Sequence, residues 1–203
     1  MTLDKLKHRI KRAAGRTAPR RRVLDLVPRG AVCAEVGVWK GNFSQRILEV
    51  VQPSELHLID PWRAFAGDDY EGARYGGKLE GGQAEMDAVY QSVLDRFAAE
   101  RTSGVVQVHR LPSLEAAAAL PDGHFDFVYI DGNHQYEFVR DDLARFAPKL
   151  RDGGLLAGDD YGVEGWWDNG VTRAVDEFVA SGAGVIVVQA DTQFALRPAP
   201  RDS

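Results

Sequence analysis

The stretch Phe125-Asp126-Phe127-Val128-Tyr129-Ile130-Asp131-Gly132-Asn133-His134 decides how the rest of the chain is read. Its first six residues are mostly apolar, aromatic or β-branched, the pattern of a strand buried on both faces. The pattern stops abruptly at Asp131 and Gly132, and a helical pattern follows over 135–150. An acid at the carboxyl end of a buried parallel strand lies where open α/β sheets bind their ligands. The same arrangement occurs twice more. Residues 56–59 run into Asp60, and residues 155–158 run into Asp159 and Asp160. Three strands delivering acids to one edge mark that edge as a site.

Working outward, strand and helix patterns alternate. Residues 31–36 form the first strand, and Asn42 caps a helix to about 51. A second strand covers 55–59, a helix 84–100, a third strand 105–109, and Ser113 caps a short helix over 114–120. A strand at 155–158, a helix at 171–181 and strands at 185–189 and 192–197 complete the chain. Alternation of this kind calls for a parallel sheet with right-handed crossovers. The short turn at Ala190-Asp191 makes the last two strands an antiparallel hairpin. Residues 63–83 carry six glycines and no clear element, which reads as a lid or as a surface insertion.

The 203 residues are 44% hydrophobic and 27% charged, as in ordinary globular domains. No stretch approaches the roughly 18 apolar residues of a membrane helix, and no signal-peptide pattern appears, so a cytoplasmic protein without a membrane span is expected. The lone Cys33 has no partner for an internal disulfide and reads as a small buried hydrophobe. Net charge is −5 but uneven, with nine Lys or Arg in residues 1–22 against the single Asp4. Residues 1–30 therefore read as a basic helical arm, whose apolar stripe packs on its own body or on a second subunit of a homodimer. The acidic remainder, 31–203, argues against a nucleic-acid partner.

Glu35-x-Gly37-x-x-x-Gly41-Asn42 follows the first strand, and its glycines permit a tight turn and a close backbone approach at a helix amino terminus. The spacing is neither the dinucleotide fingerprint nor a phosphate loop. At the next strand end, Asp60 stands where an acid can accept two hydrogen bonds from a ribose diol. Three converging carboxylates repel one another, and a divalent cation would relieve that. An all-oxygen set suits Mg²⁺, Mn²⁺ or Ca²⁺. His134 is expected to titrate near neutral pH, as a base should. Tyr136 and Tyr161, close in sequence to the acids, are expected to shape an acceptor site, and Trp166 and Trp167 to wall it.

The order Glu-Val-Gly-x-x-x-Gly, Ile-Asp-Pro-Trp, Tyr-Ile-Asp-Gly-Asn-His and Gly-Gly-x-x-x-x-Asp-Asp-Tyr resembles the class I S-adenosylmethionine-dependent methyltransferases. The resemblance spans about 31–197 and is most similar to small metal-dependent O-methyltransferases of the catechol and macrocin types. It implies a Rossmann-like α/β fold: a seven-stranded sheet, mostly parallel with an antiparallel last strand, and helices on both faces. It implies that the turn Glu35, Gly37, Val38, Gly41 and Asn42 lines the methionine and ribose end of the cofactor. Asp60 would hold the ribose hydroxyls, Trp62 and Ser113 would flank the adenine, and Asp131 would border the cofactor.

By the same resemblance Asp131, Asp159 and Asp160 would bind a divalent metal, most simply Mg²⁺. The catechol enzymes have an Asn where this chain has the second of the paired acids, and a lysine base where it has His134. The expected reaction is methyl transfer to a hydroxyl of a small molecule, with a sugar or natural-product scaffold favoured. Two alternatives stay open: a metal-independent methyltransferase with His134 as base, and a nucleotide-binding module without chemistry.

Overall fold

Alternating apolar strands and amphipathic helices build a seven-stranded sheet in the order β3-β2-β1-β4-β5-β7-β6. The computed structural model describes residues 19–64 and 81–200. The strands are β1 (Val32–Val36), β2 (Glu55–Ile59), β3 (Val106–His109), β4 (Phe125–Ile130), β5 (Leu150–Gly158), β6 (Gly184–Ala190) and β7 (Gln193–Pro198). The first five pair in parallel, and β7 runs antiparallel to both β5 and β6, between which it is inserted. The expected hairpin forms, and its second strand rather than its first joins the parallel sheet.

Helix α1 covers the described residues 19–24, followed by α2 (Asn42–Val51), α3 (Gly82–Arg96), α4 (Ala98–Thr102), α5 (Ser113–Ala119), α6 (Tyr136–Phe146) and α7 (Gly170–Ala180). The single helix expected over 84–100 is two, broken at Phe97, whose φ of −107° leaves the helical region. Phe97 is fully buried, so packing of its ring overrides the helix propensity around it. Residues 1–18 of the expected basic arm and most of the glycine-rich 63–83 loop lie outside the described residues.

Each face of the sheet carries one apolar layer. On the first lie Cys33, Leu56, Leu58, Phe127 and Tyr129, covered by Val23, Leu24, Phe43, Ile47, Met86 and Phe97 from α1, α2, α3 and the break after it. On the second lie Ala34, Val36, Ile59, Val128 and Ile130, covered by α5, α6 and α7. Neighbouring residues point to opposite faces because the side-chain period of a strand is two. Phe125 breaks the parity. It belongs to the second layer although Phe127 belongs to the first, because the β4–β5 register shifts between them. Val23, Leu24 and Val27 are buried in the first layer, so the segment just before residue 30 is packed into the domain.

No described helix is long and apolar enough to cross a membrane. Cys33 is fully buried, and burial pushes its thiol well above the usual range, as expected for an inert packing residue.

Candidate active site

Two backbone turns prepare the carboxyl edge of the sheet. Gly37, with φ of +90°, lies so close to the turn after β4 that a Cβ there would sit 2.1 Å from the Asp131 carbonyl oxygen. Only glycine permits that approach and that conformation together. Gly41 is the amino cap of α2, with φ of +71°. Asn42 was expected in that role. It is instead the first helical residue, exposed, and its side chain accepts a hydrogen bond from Arg96.

The second turn is held by Asp60, which is buried after β2. Its Oδ2 accepts the Trp39 N–H at 2.9 Å and its Oδ1 accepts the Trp62 N–H at 2.7 Å. Both tryptophans have left-handed backbones, with φ of 49° and 40°. That conformation is uncommon for bulky side chains, and the carboxylate stabilises both. Trp62 is fully buried, donates from Nε1 to the Trp39 carbonyl and packs on Tyr90. Its buried ring braces the turn from within, where the sequence reading has it flank an adenine.

Glu35 is also buried and accepts a 2.5 Å hydrogen bond from Ser44. Burial pushes its pKa up to about 8, with the Ser44 bond opposing the rise and the charge of Asp131 adding to it. Ser113 does not cap its helix, a place taken by Pro112. Its hydroxyl bonds Asp142 on α6, a buried carboxyl whose pKa burial raises to about 7.

The paired acids separate into two sets. Asp131 and Asp159 share Arg20 from α1, whose Nη2 lies 2.7 Å from Asp131 Oδ2 and 2.5 Å from Asp159 Oδ2. The guanidinium also lies 5.0 Å from the centre of the Phe43 ring and 5.6 Å from that of Tyr129. The other oxygen of Asp159 accepts the Asp160 N–H, the Thr192 hydroxyl and the Gln193 amide. Gln193 in turn accepts the buried Tyr129 hydroxyl at 2.6 Å. Burial of Asp159 favours its neutral form, but Arg20 and the Thr192 hydroxyl outweigh that and hold the carboxyl below its usual range.

The three acids expected to converge unpaired are therefore already partly neutralised, and Asp159 is not among the ligand atoms that cluster. That cluster is Asp131, His134 and Asp160, whose candidate ligand atoms all lie within 4.8 Å of one another. His134 Nε2 is 2.9 Å from Asp160 Oδ2 and 3.6 Å from Asp131 Oδ1. These are ion-pair distances off the N–H axis, so the buried nitrogen has no aligned hydrogen bond. Burial opposes its charging, yet contacts with Asp131 and Asp160 raise its pKa to about 9. The expectation of titration near neutrality is corrected, because two carboxylates in reach stabilise the imidazolium.

Trp167 covers the cluster, its ring centre 5.0 Å from that of His134, with Trp166 edge-on to it and 39% exposed. Tyr136 and Tyr161 are held elsewhere. Their hydroxyls donate to Glu177 and Asp176 on α7, so both point along that helix and their expected share in an acceptor wall is reduced. The sequence reading missed Arg20, Thr192, Gln193 and Asp142. Arg20 stands among eight other basic residues of the first 22, and nothing local distinguishes it.

Comparison with curated protein sequences finds no match. Among solved structures, a candidate rRNA methylase from Clostridium thermocellum superposes with a TM-score of 0.63 at 10% identity, covering 91% of this chain and 97% of that one. A candidate methyltransferase from Streptococcus mutans, solved with S-adenosylhomocysteine, gives 0.55 at 12% identity, with 88% and 95% covered. The O-methyltransferase NovP gives 0.51 at 20% identity, with 91% and 78% covered. At these identities the likeness is one of fold. The family described as a methyltransferase domain matches residues 34–161, which run from within β1 past the end of β5 and include every acid of the carboxyl edge. The chain belongs to that methyltransferase domain family, on the seven-stranded fold of the S-adenosylmethionine-dependent enzymes.

Proposed function

We propose that the protein transfers the methyl group of S-adenosylmethionine to a hydroxyl of a small molecule, a sugar or natural-product scaffold, assisted by a divalent metal. The observation that carries the metal is the cluster of Asp131, His134 and Asp160, with a buried imidazole nitrogen between two carboxylates and aligned to neither. Those residues fit a metal. A nitrogen among the oxygens suits Mn²⁺ at least as well as the Mg²⁺ favoured by an all-oxygen set. A bound ion would lower the pKa of an acceptor hydroxyl beside it.

The remaining roles belong to the chain itself. Asp131 and Asp160 orient His134, and Trp167 shields its ring from water on one side. Without a metal on its nitrogen, His134 would instead take the hydroxyl proton once it is neutral, which its raised pKa confines to alkaline pH. Arg20 keeps Asp159 and Asp131 from repelling each other. Glu35, Gly37, Val38, Gly41 and Asn42 border the methionine and ribose of the cofactor, Asp60 its diol and Ser113 its adenine. The reading rests on their shared position at the carboxyl ends of β1, β2 and β3, where such sheets take nucleotides. Catalysis then depends on holding methyl and hydroxyl in line at about 3 Å.

A second reading has its own observation. Arg20 already supplies a fixed cation to Asp131 and Asp159, which favours a metal-independent enzyme with His134 as base. Titration of S-adenosylmethionine into metal-stripped protein, repeated with Mg²⁺ and with Mn²⁺, separates the two. Cofactor binding with a metal heat that Asp160→Asn removes supports the first reading. Binding and turnover indifferent to metal support the second. Binding without turnover of any hydroxylated acceptor would leave a nucleotide-binding module, and no binding at all would sink the methyltransferase reading.

A further inference from the structure

A second group of ligating side chains lies at the other end of the sheet. Glu55 opens β2, His57 follows two residues later on the same strand, and His124 immediately precedes β4. Their candidate ligand atoms lie within 4.8 Å of one another. The seven residue steps from His124 to Asp131 span roughly 20 Å of strand, so this group is separate from the acids of the carboxyl edge. His57 is 4% exposed, and its ring packs edge-on against Phe125 and His124. Its register partner on β1 is Ala34, whose small side chain leaves room for imidazoles above that strand.

The distances carry the argument. A single oxygen, Glu55 Oε2, lies 3.4 Å from His57 Nε2 and 3.4 Å from His124 Nε2. Charge-assisted N–H to carboxylate bonds are shorter, about 2.7–2.9 Å. Two ligands on a tetrahedral ion with bonds of 2.0–2.1 Å stand about 3.3–3.4 Å apart, the separation seen here. The outer contacts also suit ligation. His57 Nδ1 is 3.0 Å from His109 Nε2, so an Nδ1–H donated to His109 turns the Nε2 lone pair toward Glu55. Metal-bound imidazoles are oriented in this way by a partner on the second nitrogen. Gln107 Nε2 lies 3.4 Å from the same Glu55 oxygen. His124 and Glu55 are partly exposed, which gives an ion a way in and water a fourth position.

We propose that Glu55, His57 and His124 form a binding site for a divalent transition metal such as Zn²⁺, tying the amino ends of β2 and β4 together across β1. Two imidazoles and one carboxylate on a tetrahedral centre select zinc or cobalt over magnesium or calcium. The site is independent of methyl transfer.

The test uses the full chain, stripped by chelator, with Asp160→Asn as background so that the acidic cluster is silenced. Co²⁺ titration is followed by visible absorption. One equivalent with the intense bands of tetrahedral cobalt, displaced by Zn²⁺, is expected. His124→Ala and the isosteric Glu55→Gln should each weaken binding at least tenfold and remove the rise in melting temperature that Zn²⁺ gives the background. Tetrahedral bands that persist in both variants would overturn the proposal. So would a background protein that shows neither the bands nor a Zn²⁺-dependent melting shift, since the geometry would then be only a hydrogen-bonded histidine cluster.

Discussion

Asp60 holds a turn at the position proposed for the cofactor's ribose, and the two roles can be pulled apart. Its carboxylate accepts the amides of Trp39 and Trp62, both in the left-handed region, before any cofactor is bound. Hydrogen bonds to a charged acceptor contribute roughly 1.5–3 kcal/mol each, and part is lost again to relaxation of the turn. Asp60→Ala is therefore expected to destabilise the free protein by about 2 kcal/mol in urea unfolding, as well as weakening S-adenosylmethionine. An effect on the cofactor with an unchanged urea midpoint would show that the turn holds without the carboxylate. Glu35 gives a pH signature. Its folded pKa of about 8 lies above the ordinary carboxyl value of 4.5, so the folded state keeps a proton the unfolded chain has released. Its contribution is complete below pH 4.5 and is lost as pH rises through about 8. Glu35→Gln should flatten the fall in urea midpoint between those values, and parallel pH profiles for variant and wild type would refute a protonated Glu35.

At the scale of elements, the helix at 19–24 is both packing and electrostatics. Val23 and Leu24 anchor it in the first apolar layer, and that anchoring aims Arg20 between the turns after β4 and β5. Removing one partner from a buried ionic group leaves uncompensated charge, typically a cost of 3–5 kcal/mol. Arg20 is about one quarter exposed, which favours the lower end. Arg20→Met should cost about 3 kcal/mol at pH 7 without divalent ions. The sign with pH follows from Asp159. Its depressed pKa means that the stability it gains from Arg20 is present above about 3.8 and is lost as pH falls. Wild type and variant should thus converge below pH 4. If Mn²⁺ stabilises the variant more than wild type, guanidinium and metal compete for the same carboxylates. Equal stabilisation would assign them separate sites.

Across the whole molecule, both apolar layers rest on one sheet, and no described element packs on itself alone. Domains built in this way unfold as a unit. Trp62 lies deep in the first layer and Trp166 stands exposed beside the site, so fluorescence samples core and edge together. Its urea midpoint should coincide with that of far-ultraviolet circular dichroism. Separate midpoints would mean that the carboxyl-edge loops open before the sheet.

The sequence by itself determined the alternation of strands and helices, the acids at the ends of β2, β4 and β5, and the glycine turn after β1. These are local facts, since side-chain period, turn chemistry and the short link between β6 and β7 act over a few residues. What only the tertiary structure decided is which of those acids are paired. Arg20 reaches partners 111 and 139 residues away, and Gln193 reaches Asp159 from the last strand. Local periodicity carries no record of such meetings. The face that Phe125 takes, the break at Phe97 and the histidine cluster beside Glu55 were settled in the same way, by register and packing between strands distant in sequence. Charge is likewise a property of the folded state. The same histidine type is pushed to about 4 at position 57 by burial and raised to about 9 at 134, where contacts with two carboxylates outweigh burial.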